Sequence, residues 1–179
     1  SRIVMNAHAV NQGRFPDISN GRNTDFFFIR NDDPEQVAGE IVKLVRDRLP
    51  KAYGQPLSNI QVLTPMQRSV VGAGNLNLLL QEALNHNTAG ISRGGYTYKF
   101  GDRVMQIRNN YDKDVFNGDM GRIMALDLED QIATVNMDDR AVAYDFLELD
   151  ELTHAYAVSV HKAQGSEFPA VVIPLLTTH

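Results

Sequence analysis

The chain has 179 residues, 43% of them hydrophobic, enough to bury one core or a main domain with a smaller insert. It contains no cysteine, which excludes disulfides, thiolate metal sites and a cysteine nucleophile and makes a reducing cytoplasm the expected location. Lys and Arg number 17 against 22 Asp and Glu, and the net charge of -5 argues against a protein that coats nucleic acid through bulk charge, while leaving room for a local basic strip.

The first residues, SRIVMNAHAV, lack the basic start and continuous apolar core of a targeting segment, and no apolar run approaches the roughly 20 residues needed to span a bilayer, so no membrane role is expected. Ile3, Val4, Ala7 and Val10 stand at helical spacing, with Gly13 placed to stop the helix in a left-handed turn. TDFFFIR (24–30) reads as a buried strand. DDPEQ then opens a second helix, with Asp33 as cap, Pro34 in the first turn and Gln36 three residues after the cap; Val37, Ile41, Leu44 and Val45 make its buried stripe. NIQVLTPM (59–66) is another strand, ended by Pro65, and Leu76, Leu79, Leu80, Ala83 and Leu84 mark the next helix.

From Tyr98 the rhythm changes to short strands: GDRVMQIR, GRIMALDLE, QIATVNM and AVAYDFLEL, with Asn117-Gly118 and Asp138-Asp139 as turn signals and Gly121 suited to a bulge or a tight approach. This pattern predicts a small barrel. Charge is segregated along it: Arg93, Lys99, Arg103, Arg108, Lys113 and Arg122 fall within residues 91–122, whereas in residues 127–151 only Arg140 opposes a run of acids. Arg103, Arg108, Lys113 and Arg122 are candidates to follow a DNA backbone, although a charged strand face also serves merely to stay solvated. The chain then returns to a strand (THAYAVSV), a polar loop and a last strand (AVVIPLL). The expected architecture is an α/β domain, residues 1–90 and 151–179, interrupted by a β-rich insert at 91–150.

The polar loop, VSVHKAQGSEF (158–168), interrupts two apolar runs. A polar turn at the carboxyl end of a buried strand is where open α/β sheets place ligands, because backbone groups and helix termini are free there. Gly165 lets backbone approach a ligand, Glu167 suits the hydroxyls of a ribose, and His161 and Lys162 suit phosphates. A solvated loop of capping residues explains the same composition. His8, His86, His154 and His179 show no ligand spacing with carboxylates, and no metal site is expected.

AVSVHKAQGSEFPAVVIPL resembles motif V of superfamily 1 DNA helicases, in the RecD-like branch that also supplies the helicase parts of some relaxases. QVLTPMQRS (61–69) is similar to that family's motif IVa, KFGDRVMQIRNNYDKDVFNGDMGRI (99–123) to the start of its SH3-like insert, and SRIVMNAHAVNQG to the helix after motif IV. The resemblance covers most of the chain in family order. It implies a RecA-like second motor lobe, a P-loop NTPase fold without its P-loop, carrying an SH3-like barrel insert. It implies that Glu167 binds the nucleotide ribose and that the backbone of Gln164 and Gly165 lies near the triphosphate, while Ser159 and His161 face single-stranded DNA. Position 159 is commonly Thr in the family; Ser keeps the hydroxyl. Thr64 matches a second phosphate-contacting hydroxyl, for which a strand-end hydroxyl satisfied by backbone is the alternative.

No GxxxxGK[ST] occurs, and no strand ends in the paired acids that hold Mg²⁺. The expectation is therefore a piece of a longer ATP-dependent helicase, probed by its start without Met and its TTH ending, with the first motor lobe, the ATP and Mg²⁺ machinery and the charge-stabilising arginines elsewhere; the piece alone is expected to lack ATPase activity. The resemblance implies 5′ to 3′ movement on single-stranded DNA, roles in repair or recombination, and partner subunits of a helicase-nuclease complex as an option. A relaxase fusion and a non-enzymatic α/β plus barrel adaptor remain the competing readings.

Overall fold

The computed structural model describes residues 1–54 and 56–176; His179, expected not to be a metal ligand, lies outside the described residues. The chain divides into two compact units, Ser1–Asp32 and Asp33–His179.

In the first unit, helix α1 (Arg2–Asn11) forms as its spacing requires, and Gly13 at φ +72° ends it in the left-handed region. Asp25 caps its start, accepting from the amides of Arg2 at 2.9 Å and Ile3 at 3.2 Å. The expected strand at 24–30 is absent. Phe27, Phe28 and Ile29 are 45%, 40% and 47% exposed, and the backbone there finds side chains instead of a neighbouring strand: the Asn20 amide bonds both the N–H and the C=O of Phe28 at 2.9 Å, and Thr24 bonds both those of Phe26. Once a side chain has satisfied these groups, no ladder is needed to do so.

The second unit opens with α2 (Pro34–Lys43), capped by the Asp33 carboxylate on the Glu35 amide as the sequence predicted. A π-helical turn (Leu44–Arg48) precedes the short α3 (Leu49–Tyr53), in whose first turn Pro50 lies. Strand β1 (Ile60–Thr64) and helix α4 (Ala73–Leu84) follow. β1 is the middle of a three-stranded parallel sheet, between β10 (Ala170–Val172) and β9 (Ala157–Ser159). Ala38 and Ile41 of α2, Val45 of the π-helical turn, and Leu76 and Leu80 of α4 meet Ile60 and Val62 of β1 in one apolar core.

Between α4 and β9 lie seven more strands. β2 (Gly90–Arg93) and β3 (Tyr96–Lys99) form a hairpin. β4 (Arg103–Gln106), β5 (Met120–Asp127), β6 (Ile132–Met137), β7 (Arg140–Tyr144) and β8 (Leu152–His154) form an antiparallel sheet in the order β7-β6-β5-β4-β8. Hairpin and sheet share a second core, in which Ile91 and Tyr98 pack with Val104, Ile123, Val135 and Leu149. Asp138 and Asp139 both adopt positive φ in the two-residue turn from β6 to β7, as the expected tight hairpin demands. Asn117 and Gly118 form a different turn: the Asp119 amide donates to Phe116 at 2.9 Å with Gly118 at φ +101°, a type II arrangement that ends the long β4 to β5 loop. Gly121 is a tight approach, since a Cβ would lie 2.3 Å from the Asn136 carbonyl.

THAYAVSV, expected as one strand, is two. β8 pairs with β4, and β9 pairs with β1 in the other sheet. Residues 154–157 make the crossing, and buried side chains take up their backbone groups. Asn77 donates to the carbonyls of His154 and Ala157 and accepts from the Ala157 amide; Gln61 donates to the carbonyls of Ala155 and Tyr156. Below this crossing the fully buried Asp102 accepts from Gln81 (2.8 Å), Asn85 (2.7 Å), the Tyr156 hydroxyl (2.7 Å) and the Lys99 amide (2.8 Å), with His154 Nε2 at 3.3 Å. Burial alone would push the Asp102 carboxyl up, but the bonds from His154, Tyr156, Lys99 and Gln81 outweigh it and hold the group below its ordinary 3.8.

That lowered value makes Asp102 a stabilising anion above the ordinary carboxylate range, with the contribution lost as pH falls through 3.8 toward the folded value. Asp102→Ala strands several buried donors and is expected to lower urea stability by at least about 3 kcal/mol at pH 7. Asp102→Asn is expected to be less stable than wild type at pH 7 and to lose less stability on acidification, measured by urea unfolding at pH 7, 5 and 3.

Candidate nucleic-acid interface

The parallel sheet presents its carboxyl edge where β1 and β9 end side by side, Thr64 in register with Ser159. Thr64 is fully buried, and its hydroxyl is spent on the fold, donating to the Val71 carbonyl at 2.7 Å and accepting from the Met66 amide at 3.3 Å. It shapes the loop after β1 instead of reaching outward. In that loop Ser69 has φ +116°, a strained backbone for a residue with a side chain. Ser159 is only partly buried and accepts from the Lys162 amide at 3.2 Å, which leaves its proton available to an acceptor outside the protein.

After β9 the chain winds through a compact turn. The amide of Ala163 bonds back to Ser159 and Val160, and that of Ser166 to Ala163. The side chain of Ala163 is the turn's one buried anchor, packed with Met105, Ala155 and Val158; His161, Lys162, Gln164, Gly165, Ser166 and Glu167 are all exposed. Gly165 stands at φ +84° with nothing within 4 Å of a notional Cβ, so backbone conformation, with open space beside it, accounts for the glycine. Among the described residues neither His161 nor Glu167 has a side-chain partner. Lys162 does: its ammonium donates to Asn117 Oδ1 at 2.7 Å and ties this turn to the loop between β4 and β5.

The basic residues expected to follow a DNA backbone are not equally free to do so. Arg103 donates to the Ile60 carbonyl at 2.6 Å and to Gln61 Oε1 at 3.0 Å, at the opposite end of β1 from Thr64. Burial, with Arg122 nearby, brings its guanidinium down to about 10. This corrects the expectation that Arg103 faces a DNA backbone: it is a strut between the two sheets. Lys113 is likewise occupied, 2.9 Å from Glu148, 2.5 Å from the Ala143 carbonyl and 5.6 Å over the Tyr144 ring. Arg108 and Arg122 are exposed without a hydrogen bond or salt bridge among the described residues.

The sequence reading missed the amides of α4. Asn77, Gln81 and Asn85 repeat every four residues and form a buried polar stripe beside the leucines. That spacing is the signal the sequence offers for them. Among the described residues no group of three or more His, Asp or Glu is placed to hold a metal ion, and no helix is long and apolar enough to cross a membrane.

Residues 76–137 match the family described as the ATP-dependent RecD-like DNA helicase SH3 domain, and residues 154–179 match the UvrD-like helicase C-terminal domain. The fold is therefore of the α/β kind found in helicases. Over 177 residues the chain is 32% identical to the ATP-dependent RecD2 DNA helicase of Deinococcus radiodurans, a match that covers 99% of this chain and 23% of that protein. It thus spans less than a quarter of the length of that curated relative. Two solved structures share the fold. The Pif1 helicase of Candida albicans matches 96% of this chain and 46% of its own with TM-score 0.53 and 17% identity. The Bacteroides Pif1 helicase in complex with ADP-AlF3 and single-stranded DNA matches 85% and 45% with TM-score 0.51 and 16% identity.

Arg103→Ala strands two buried acceptors and is expected to cost about 1 to 3 kcal/mol in urea unfolding. Arg108→Ala is expected to stay within about 0.5 kcal/mol of wild type.

Proposed function

We propose that this chain is most of the second motor lobe of an ATP-dependent DNA helicase, interrupted by an SH3-like insert, and that with a first lobe it couples ATP hydrolysis to 5′ to 3′ movement on single-stranded DNA in repair or recombination. The domain expectation, 1–90 and 151–179 around an insert at 91–150, is modified in one respect: β8 belongs with the antiparallel sheet, so we place the end of the insert at the 154–157 crossing. The cytoplasm is the proposed location.

The observation that carries the reading is the exposed turn at the carboxyl edge of the parallel sheet, where Ser159, His161 and Glu167 stand within nine residues of one another, the last two without a side-chain partner among the described residues. Ser159 and His161 take the phosphates of single-stranded DNA, with Thr64 holding the neighbouring loop in shape. Gln164, Gly165 and Glu167 take the nucleotide, Glu167 accepting from ribose hydroxyls. ATP and Mg²⁺ would be held largely by the first lobe, since this chain has no phosphate loop; what its residues supply is recognition of the ribose side and of the strand. With one end on the nucleotide and the other on the strand, a small shift of the turn would couple hydrolysis to the grip on DNA.

In the full-length helicase, Glu167→Ala is expected to raise the KM for ATP about five- to a hundredfold with little change in oligonucleotide affinity, the loss of one charged hydrogen bond. Ser159→Ala is expected to do the reverse. Titrations of each ligand on both variants decide it, and the opposite pattern would show that the two ends have been assigned the wrong way round.

For the insert, Arg108→Ala is expected to flatten the salt dependence of single-strand affinity by about 0.7 in the log-log slope if the guanidinium meets one phosphate. An unchanged slope across a salt series removes Arg108 as a backbone contact.

A further inference from the structure

The loop between β4 and β5 holds an aromatic pair that neither core uses. Tyr111 is 77% exposed and Phe116 37% exposed, and their rings meet edge to face with centroids 5.7 Å apart. Their loop is braced in every part. The backbones of Asn110 and Val115 exchange hydrogen bonds at 2.7 and 3.1 Å, the Lys113 amide donates to Asn110 Oδ1, the Asn117 amide to Asn109 Oδ1, and the Phe116 amide to Asp119 Oδ2. Beneath it, Asn110 donates to the Glu151 carboxylate, and the fully buried Val115 plugs the insert core. A rigid loop that keeps a tyrosine ring almost wholly in water gains nothing from that ring in folding.

Two features indicate what the ring meets. Asn117, next to Phe116, accepts the hydrogen bond from Lys162, so the aromatic pair is fixed to the same turn that carries Ser159 and His161. Around the ring itself the charge is also unsuited to holding phosphates: Lys113 is consumed by Glu148, while Asp112 and Asp114 lie exposed on either side of it. An exposed aromatic surface beside acids, continuous with a proposed strand-binding edge, suits the uncharged faces of bases more than their backbone.

We infer that Tyr111, supported edge-on by Phe116, is a stacking platform for a base of single-stranded DNA as the strand leaves the Ser159 and His161 edge. The inference rests on the proposed reading of that edge and adds a contact to bases, which its hydroxyl and imidazole do not supply. Stacking tolerates any base, so the platform supports movement along a strand without sequence preference. The aromatic face and not the phenol oxygen is the working group.

The test uses the full-length protein and two dye-labelled probes of equal length, an oligothymidine and an abasic backbone with the same phosphates, read by fluorescence anisotropy. Wild type is expected to prefer the oligothymidine. Tyr111→Ala is expected to weaken oligothymidine binding roughly tenfold, the scale of one lost base stack, while leaving abasic binding and the salt slope unchanged. Tyr111→Phe is expected to bind both probes as wild type does, and thermal unfolding of both variants should match wild type because the side chain is exposed. An equal loss on both probes, or no loss on either, overturns the platform while leaving the strand-binding edge in place. Failure of the wild-type protein to bind either probe overturns both.

Discussion

The structure of the second unit depends on a charge and a set of amides buried where the chain passes from one sheet to the other. Asp102 sits with no solvent contact at the start of β4, and the chain crossing at 154–157 lies over it. A buried carboxylate is costly unless its oxygens are filled with donors, and here they are filled from α4, from Tyr156 and from a backbone amide. The donors come from both sides of the crossing. Helix, parallel sheet and antiparallel sheet are consequently held in one arrangement by groups that have no good alternative partners, which apolar contact alone would not specify so narrowly.

That arrangement positions the edge site. Gln61 and Asn77 take over the backbone groups that a continuous strand would have used, so β8 can end and β9 begin within a few residues. Arg103 adds a bond from β4 to the first residues of β1. With β1 and β9 anchored at their amino ends, their carboxyl ends present Thr64 and Ser159 in register, and the turn after Ser159 inherits its place from them. The turn is pinned again from outside, by Ala163 in the small core with Met105 and by Lys162 on Asn117. The antiparallel sheet is thus in mechanical contact with the turn at two points, an apolar one and a polar one.

The basic residues of the insert illustrate why charge counted along a chain differs from charge presented to a partner. Arg103 and Lys113 are spent on carbonyls, a carboxylate and a ring, and Arg93 is bound at two points to Asp150. What the loop after β4 presents instead is an aromatic surface, Tyr111 against Phe116, which a count of charges does not register.

The sequence by itself determined the elements whose signals are local. The caps and apolar stripes of α2 and α4, the left-handed stop at Gly13, the Asp138-Asp139 turn and the short strands of the insert rest on interactions between near neighbours, and VSVHKAQGSEF was marked by polar residues set between apolar runs. Tertiary structure decided the rest. TDFFFIR carries strand composition, but a strand exists only where another strand completes its ladder, and Asn20 and Thr24 answered its backbone first. THAYAVSV carries the pattern of one strand, yet its two halves belong to different sheets because amides from 80 residues earlier, at Asn77, meet it at the crossing. Arg103, Arg108 and Lys113 are alike in sequence; which of them keeps its charge for a partner depends on carbonyls and carboxylates brought near by folding, and no local pattern encodes those distances.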